Sequence, residues 1–270
     1  MDDQGARSST DKLGALGQSV FELQAYMDLT KHMGGLRATN ELLKLCNIDQ
    51  DKVVLDVGCG VGQTPAYIAS RYGCRVVGAD ITPAMIERAR ERAKREGVED
   101  KVELRVANAL DLPFDDDLFD IVLCESVVAL IGDKARALGE LVRVAKPGGY
   151  VGLNETHWAK VPPPELAEMI SSATAAGTEI PTAEGWVELL EGSGLRDVVV
   201  RSYEVAAGQE AKAQLGRYRL TDVLRSLSRV LALYLRNPAY REWLKENLST
   251  PKEMAEYLGY GIYVGRKQGS

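Results

Sequence analysis

The residues with the clearest chemical potential lie in the stretch VVLDVGCGVGQT, where an acid and three glycines follow an apolar run. Asp56 precedes Gly58, Gly60 and Gly62, and residues without a Cβ allow a tight turn and close approach of the backbone to a ligand. The spacing is not that of the dinucleotide fingerprint GxGxxG, whose third glycine would fall at Gln63. Because Asp56 would repel a pyrophosphate, the loop is predicted to suit a cationic amino-acid moiety.

Three later polar residues, Asp80, Asn108 and Glu125, each follow an apolar run of strand-forming residues. Since the carboxyl ends of parallel strands meet at one edge of a sheet, we expect all three beside the glycine loop. The Asp80 carboxylate could accept both hydroxyls of a ribose, and the Asn108 amide could bind an adenine edge. Their plainer interpretations are a turn aspartate, a loop asparagine and, for Glu125, the polar end of a strand.

Short β-branched runs alternate with helical patterns through the middle of the chain. The runs predict strands at 52–58, 75–80, 102–108, 119–126 and 148–155. The clearest helix between them has Thr82 as its N-cap, Pro83 at its first position and Gly97 at its end. Such a β-α-β-α series predicts an α/β, doubly wound fold with a parallel sheet covered on both faces.

The C-terminal half changes this pattern. The sequence predicts helices within 157–181 and over 182–195, strands over 196–205 and 260–267, and mostly helix over 211–259. Segments near the carboxyl ends of the strands can cover a ligand there, so 157–181 and 206–259 are predicted lids. The predicted domains are an N-terminal helical approach (1–48), a core (49–205 and 260–270, including the 157–181 insertion) and a helical lid (206–259).

The charge distribution limits the classes of partner. A formal net charge of −6 over 270 residues argues against a nucleic-acid binder. Residues 210–246 are nevertheless basic, with eight Lys or Arg against four Asp or Glu. This segment either has a solvated basic face or attracts an anionic acceptor or a membrane surface. An apolar stripe at helical spacing favours the first interpretation: Val223, Leu224, Leu227, Val230, Leu231 and Leu235.

Cysteine and histidine usage predicts no metal site. The four cysteines form no CxxC pair, and the chain has only two histidines, so reduced thiols are expected. The first residues lack the basic start and apolar core of a signal peptide, and no run of about 18 apolar residues could span a membrane. We therefore expect a cytoplasmic protein without stable membrane insertion. The sequence does not decide between a monomer and a homodimer.

Five motifs in order, over roughly residues 50–155, make the chain resemble a class I S-adenosylmethionine-dependent methyltransferase of the small-molecule, type 11-like kind. They read VVLDVGCGVGQT, VVGADITPAMIERAR, VANALDLPF, FDIVLCESV and LVRVAKPGGYVGL. The resemblance implies a Rossmann-like, seven-stranded, mostly parallel sheet with an antiparallel last strand and a helical lid. It also implies S-adenosyl-L-methionine as the cofactor and a small molecule as the methyl acceptor.

The resemblance assigns cofactor contacts at the strand ends. The glycines would pass close to the methionine part, Asp80 would bind the ribose, and the segment 107–110 would flank the adenine. The family usually has an acid where this chain has Asn108, which puts the adenine contact in question. The expected cofactor-binding residues are Asp56, Gly58, Cys59, Gly60, Gly62, Asp80, Ile81, Asn108, Ala109, Leu110 and Glu125.

Methyl transfer needs chiefly alignment of a nucleophile with the S–CH3 bond and exclusion of water, and a general base only for an acceptor such as a phenol or alcohol. The catalytic candidates are His157 and Glu125, although a structural, hydrogen-bonded histidine is the plainer interpretation of His157. The candidates for the acceptor pocket and lid are His32, Tyr26, Trp158 and Tyr218. The resemblance implies that Gly34 and Gly35 form a turn that closes one side of the cofactor, whereas the plainer interpretation is a simple connection between helices.

Other functions remain open at this point. Within methyltransferases, an isoprenoid quinone or other lipid-like acceptor is the close alternative, because the lid is rich in Leu, Val and Tyr. A nicotinamide-dependent oxidoreductase shares the sheet and glycine turn, but its Tyr-x-x-x-Lys pair falls here in a predicted strand, at Tyr263 and Lys267. An amino-methyltransferase of nucleic acids should have an Asn/Asp-Pro-Pro-aromatic motif after the fourth strand, but this chain has Glu125-Ser126-Val127 there and only a look-alike, NPAY, at 237–240. A regulatory protein that binds the cofactor without catalysis is the alternative of another class.

Overall fold

The computed structural model describes residues 32–173, 178–205, 220–236 and 254–269. The strands are β1 Val53–Val57, β2 Arg75–Asp80, β3 Val102–Val106, β4 Phe119–Glu125, β5 Ala145–Trp158, β6 Leu195–Glu204 and β7 Leu258–Lys267. The helices are α1 Gly35–Leu45, α2 Gln63–Tyr72, α3 Pro83–Glu96, α4 Lys134–Val144, α5 Pro164–Ala173, α6 Ala183–Gly192, α7 Leu220–Arg236 and α8 Met254–Tyr257, with a 3-10 turn at Val128–Leu130.

The seven strands form one sheet in the order β3-β2-β1-β4-β5-β7-β6. Strands β1 to β5 pair in parallel, whereas β7 runs antiparallel to both β5 and β6. The predicted seven-stranded Rossmann-like sheet with an antiparallel last strand is confirmed. The strand order reverses between β1 and β4, and the crevice at such a reversal is where open α/β sheets bind ligands.

Alternate residues of the central strands serve opposite faces of the sheet. Val54 and Ile121 belong to the core under α1, α2 and α3, while Leu55 and Val122 belong to the core under α4 and α6. A parallel sheet that is covered twice needs this nearly continuous apolar sequence. The strands that carry the loop residues are therefore fixed on both sides.

The predicted helix at 82–97 has the expected ends. It spans Pro83–Glu96, with Thr82 in an extended N-cap conformation and Gly97 at φ 67° after its last turn. The Gly34 turn is present as well, since Gly34 has φ 71° and α1 begins at the next residue. Strand β5 is longer than predicted, reaching Trp158 rather than residue 155.

Helix α7 corrects one expectation about the basic segment. Four leucines of the predicted apolar stripe are not buried: Leu224, Leu227, Leu231 and Leu235 are all more than half exposed, whereas Ser226 is only 4% exposed. Helical periodicity identified an amphipathic helix but not which face contacts the protein. The look-alike motif at 237–240 lies outside the described residues.

Among the described residues, no helix has the length and apolar character needed to cross a membrane. The same ranges contain no group of three or more Cys, His, Asp or Glu residues that could hold a metal ion.

Candidate functional site

The glycine loop, residues 57–63, connects β1 to α2 where the strand order reverses. Gly58, Gly60 and Gly62 have positive φ angles of 76°, 52° and 75°. Residues with a Cβ rarely adopt these angles, so the turn itself explains the glycines. The tight turn predicted from the spacing is present.

Two of these glycines are also closely packed. A Cβ added at Gly58 would overlap the side chain of Val127, and one at Gly62 would lie 2.7 Å from the Ala89 Cβ atom of α3. The Ala79 carbonyl at the end of β2 accepts the Gly58 N–H at 2.7 Å. Packing therefore requires glycine at two positions, and β2 and the chain after β4 hold the loop in place.

Asp80, the last residue of β2, contacts the loop directly. Its Oδ2 accepts the Gly60 N–H at 2.9 Å, and its Oδ1 accepts the Thr82 N–H at 2.8 Å. Burial raises the pKa of Asp80 above its usual value, and these two backbone hydrogen bonds oppose the rise. A carboxylate has about four acceptor positions, so both oxygens can still accept from a ligand.

The segment after β3 lies beside β2 and turns sharply. The Asn108 Oδ1 accepts the Leu110 N–H at 3.0 Å, while its Nδ2 makes no hydrogen bond to another described residue. Ala109 is buried and Leu110 half-buried, but Ile81, which follows Asp80, is 63% exposed. The turn thus uses the amide oxygen that we expected to read adenine and leaves an amide donor.

Glu125, at the end of β4, belongs to a buried polar cluster rather than to an open edge. Its Oε2 accepts from Thr39 Oγ1 at 3.0 Å, and its Oε1 accepts from Thr64 Oγ1 at 3.0 Å. Asn154 Nδ2 lies 3.4 Å from Oε2, and so does His32 Nδ1. The cluster joins α1, the first turn of α2 and the ends of β4 and β5.

Helix α1 and the residues before it are fixed through the same cluster. Thr39 Oγ1 lies 3.1 Å from His32 Nε2, and Asn154 Nδ2 donates to the Met33 carbonyl at 2.9 Å. His32 is 6% exposed. The structure therefore places His32 in the buried cluster around Glu125, and its role toward an acceptor stays a prediction.

Asp56, near the end of β1, and Cys59, in the glycine loop, both lie inside the fold. Asp56 is 2% exposed and Cys59 is 6% exposed. Burial raises the pKa of the Cys59 thiol well above its usual value, and the nearby Asp56 and Asp80 carboxylates raise it further. Cys59 is accordingly a neutral, packed thiol at neutral pH.

His157 lies within β5 rather than after it. Its Nδ1 is 2.9 Å from Tyr263 Oη, and its Nε2 is 3.1 Å from Ser202 Oγ. The ring is 2% exposed, and burial lowers the pKa of His157. Both ring nitrogens thus face side chains of β7 and β6, and the catalytic role of His157 stays a prediction.

The remaining candidates divide into one that is placed and two that are not. Trp158 ends β5, where its backbone N–H donates to the Pro181 carbonyl at 3.0 Å. Tyr26 and Tyr218 lie outside the described residues.

A surface groove of about 560 Å3 lies at the amino ends of the strands, where residues such as Val53 and Lys101 line it. None of the predicted site residues lines this groove.

Sequence reasoning missed the buried residues that hydrogen-bond to Glu125 and to the chain after β4. Thr39, Thr64 and Asn154 bind Glu125, and Glu155 binds the chain after β4. A polar residue inside a strand otherwise made of apolar residues, as in GLNETHW, is the one available signal, because a buried polar group needs partners.

Comparisons with known proteins identify the family. Residues 55–153 match a family model described as a methyltransferase domain, and this span runs from β1 into β5. An uncharacterized protein of Haemophilus influenzae is 30% identical over 174 residues, 64% of this chain and 69% of that protein. Norajmaline N-methyltransferase of Rauvolfia serpentina is 38% identical over 120 residues, 43% of this chain and 41% of its own length. The chain belongs to the S-adenosylmethionine-dependent methyltransferase family.

Solved structures share the fold of this methyltransferase-family chain. Phosphoethanolamine N-methyltransferase 2 of Haemonchus contortus, in complex with phosphomonomethylethanolamine and S-adenosylhomocysteine, superposes with a TM-score of 0.71 at 20% identity, over 93% of this chain and 57% of that one. The [4+2]-cyclase SpnF has a TM-score of 0.72 at 20% identity, over 97% of each chain. Since a cyclase has the same architecture, the fold by itself does not fix the reaction.

Proposed function

We propose that the protein binds S-adenosyl-L-methionine at the glycine loop and transfers its methyl group to a small organic acceptor. The observation that carries the proposal is that the family match, residues 55–153, spans the glycine loop and runs from β1 into β5, and the carboxyl ends of these parallel strands lie at one edge of the sheet. When bound, this cofactor would supply a sulfonium methyl group: a nucleophile in line with the S–CH3 bond would bond to the methyl carbon as that bond breaks and S-adenosylhomocysteine leaves. The relatives' names include N- and O-methyltransferases, so the atom that is methylated is left open.

The donor set of the described residues fits this cofactor. Asp80 has acceptor capacity left for the two ribose hydroxyls, and Ile81 is an exposed apolar side chain beside it that can cover one face of an adenine. Asn108 Nδ2 is a donor that suits a ring nitrogen of adenine. The bare backbone at Gly60 leaves room for the methionine part, and the buried Asp56 disfavours a pyrophosphate there.

The chain's own residues orient the acceptor and exclude water, because a sulfonium needs little further activation. Whether a general base takes part depends on the acceptor. Trp158, the last residue of β5, and residues 159–173 after it, which leave the sheet at its carboxyl edge, are proposed to border the acceptor site. A lipid-like acceptor is the second candidate, since α7 exposes a row of leucines.

The oxidoreductase alternative loses its catalytic pair in this fold. Tyr263 is buried with its hydroxyl against His157, whereas Lys267 Nζ binds Asp117 Oδ1 at 2.6 Å. Four residues along a strand separate the two by about 13 Å. They do not converge on one substrate atom.

Calorimetric titration with S-adenosylmethionine, S-adenosylhomocysteine, NADH and NADPH tests the proposal. We expect binding of the first two compounds only. Binding of a nicotinamide cofactor alone would overturn the assignment. Binding of the methyl donor without turnover, over a panel of amine, phenol, thiol and quinol acceptors, would favour a regulatory role instead.

Asp80→Asn is the residue-level test. The amide keeps an acceptor for one of the two backbone N–H groups but presents a donor to the other and to a ribose hydroxyl, so cofactor affinity should fall about tenfold or more. Asp120→Asn is a matched control, because Asp120 Oδ2 also accepts a backbone N–H, from Val53, at the opposite end of β1. Equal cofactor affinity in the two variants would refute the role of Asp80.

A further inference from the structure

The turn that follows β4 has an unusual conformation and an unusual support. Ser126 has φ 59°, a left-handed angle that is uncommon for a residue with a side chain. Three successive N–H groups then point at one side chain, that of Glu155 on β5. Val127 and Val128 donate to Oε1 at 2.9 and 2.8 Å, and Ala129 donates to Oε2 at 3.3 Å.

Glu155 is fully buried, which makes this arrangement costly unless the carboxylate is compensated. Burial raises the pKa of Glu155 to about 7, although the three backbone N–H groups and Lys134 oppose the rise. The titratable groups that face Glu155 are Cys124 of β4, Lys134 of α4 and Tyr263 of β7. Glu179 in turn interacts electrostatically with Lys134, and Glu184 with Tyr263. A buried apolar side chain at position 155 would avoid this cost, so the presence of a glutamate there requires an explanation.

The turn is also part of the cofactor site's wall. The Val127 side chain lies against Gly58, so closely that a Cβ on Gly58 would overlap it. On its other side the turn is held by Thr178, whose hydroxyl donates to the Ala129 carbonyl at 3.0 Å. Movement of the 126–129 turn would therefore move the surface on which the glycine loop rests.

We propose that Glu155 is a positioning residue for the methyl donor: its carboxylate fixes the 126–129 turn against Gly58 and thereby sets the shape of the glycine loop. This role rests on the proposed function of the loop. The carboxylate acts through Val127 and does not touch the ligand. Three N–H donors match an acceptor-only group, whereas a protonated carboxyl or an amide would point a donor at one of them.

The test compares Glu155→Gln with wild type in calorimetric titrations with S-adenosylhomocysteine from about pH 5.5 to about pH 8.5, a range that spans the ionisation of Glu155. Wild-type affinity should rise as the carboxylate forms, and the variant should remain about fivefold weaker at the alkaline end, the loss expected for exchanging charged for neutral hydrogen bonds. Asp120→Asn should keep the wild-type profile, because Lys146 and a backbone N–H lower the pKa of Asp120.

Thermal unfolding of the same variants separates positioning from a general structural role. The folded-state pKa of Glu155 is raised, so its contribution to stability is present in acid and is lost as the pH rises through about 7. Glu155→Gln should therefore be more stable than wild type at the alkaline end while binding the ligand less well. Stability and affinity that fall together would mean a structural role only and would overturn the proposal.

A double-mutant cycle tests the route through Val127. If Glu155 acts through that side chain, Glu155→Gln should weaken binding much less in a Val127→Ala background than alone. Additive losses would overturn the route. If wild type binds S-adenosylhomocysteine and Glu155→Gln binds it equally well at every pH, this role alone would be overturned. If wild type does not bind the ligand, the proposed function would be overturned, and this role with it.

Discussion

Replacing Gly58 by alanine should cost considerably more than replacing Gly97 by alanine, although both glycines have nearly the same backbone conformation. Their φ angles are 76° and 67°. A left-handed alanine costs about 1 kcal/mol at either site. A Cβ at Gly97 has nothing within 4 Å, whereas one at Gly58 overlaps Val127. Overpacking of this kind adds about 1 to 3 kcal/mol, so Gly58→Ala should lose about 3 kcal/mol in total.

Urea unfolding of wild type and both variants measures this difference, provided that the denaturant slope is unchanged. Adding Val127→Ala to Gly58→Ala should recover part of the loss, since it removes the atoms that the new methyl group meets. Val127→Ala should give no such recovery when it is added to Gly97→Ala, which serves as the control. Equal destabilisation by the two alanines would show that the contact between Gly58 and Val127 is not as close as described, and the reasoning would fail.

Three further outcomes are expected. Thr39→Val should lower the free energy of unfolding by about 2 kcal/mol, because it removes the hydroxyl that donates to the buried Oε2 of Glu125 at 3.0 Å, and Thr39→Ser should restore most of it; equal losses would rule out the hydroxyl as the cause. In the native protein, fewer than one thiol per chain should react with Ellman's reagent, since all four cysteines are buried, and all four should react in urea. Because burial lowers the pKa of His157, its contribution to stability should fall as the pH drops below about 6.5, so acidification over this range should destabilise His157→Gln less than wild type.

The fold was predictable because its signals are local. A β-branched run, a proline at the start of a helix or a glycine after its end acts within a few residues, and β1 to β4 and the helix after Thr82 lie where these signals put them. The glycine loop was predictable for the same reason, since its positive φ angles depend on the residue type at each position.

The polar supports of the site could not be predicted in this way. Thr39 and Glu125 are 86 positions apart in sequence, and nothing local to either predicts that they meet. The contrast between α3 and α7 shows a second limit. Met85, Ile86 and Ala89 of α3 are buried as helical spacing suggests, but the leucines of α7 are exposed. Periodicity identifies an amphipathic face, and only tertiary structure decides what contacts it.

Three acids near the carboxyl ends of the parallel strands β2, β4 and β5 show why position alone did not fix their roles. Asp80 accepts backbone N–H groups of the glycine loop and of the helix start, Glu125 accepts threonine hydroxyls, and Glu155 accepts the N–H groups of a strained turn. The sheet topology places each of them near the ligand edge, yet each first satisfies donors of the protein itself. Substitution at any of the three should therefore change the shape of the site before it removes a contact with the ligand. Isosteric variants, rather than alanines, are needed to separate the two effects.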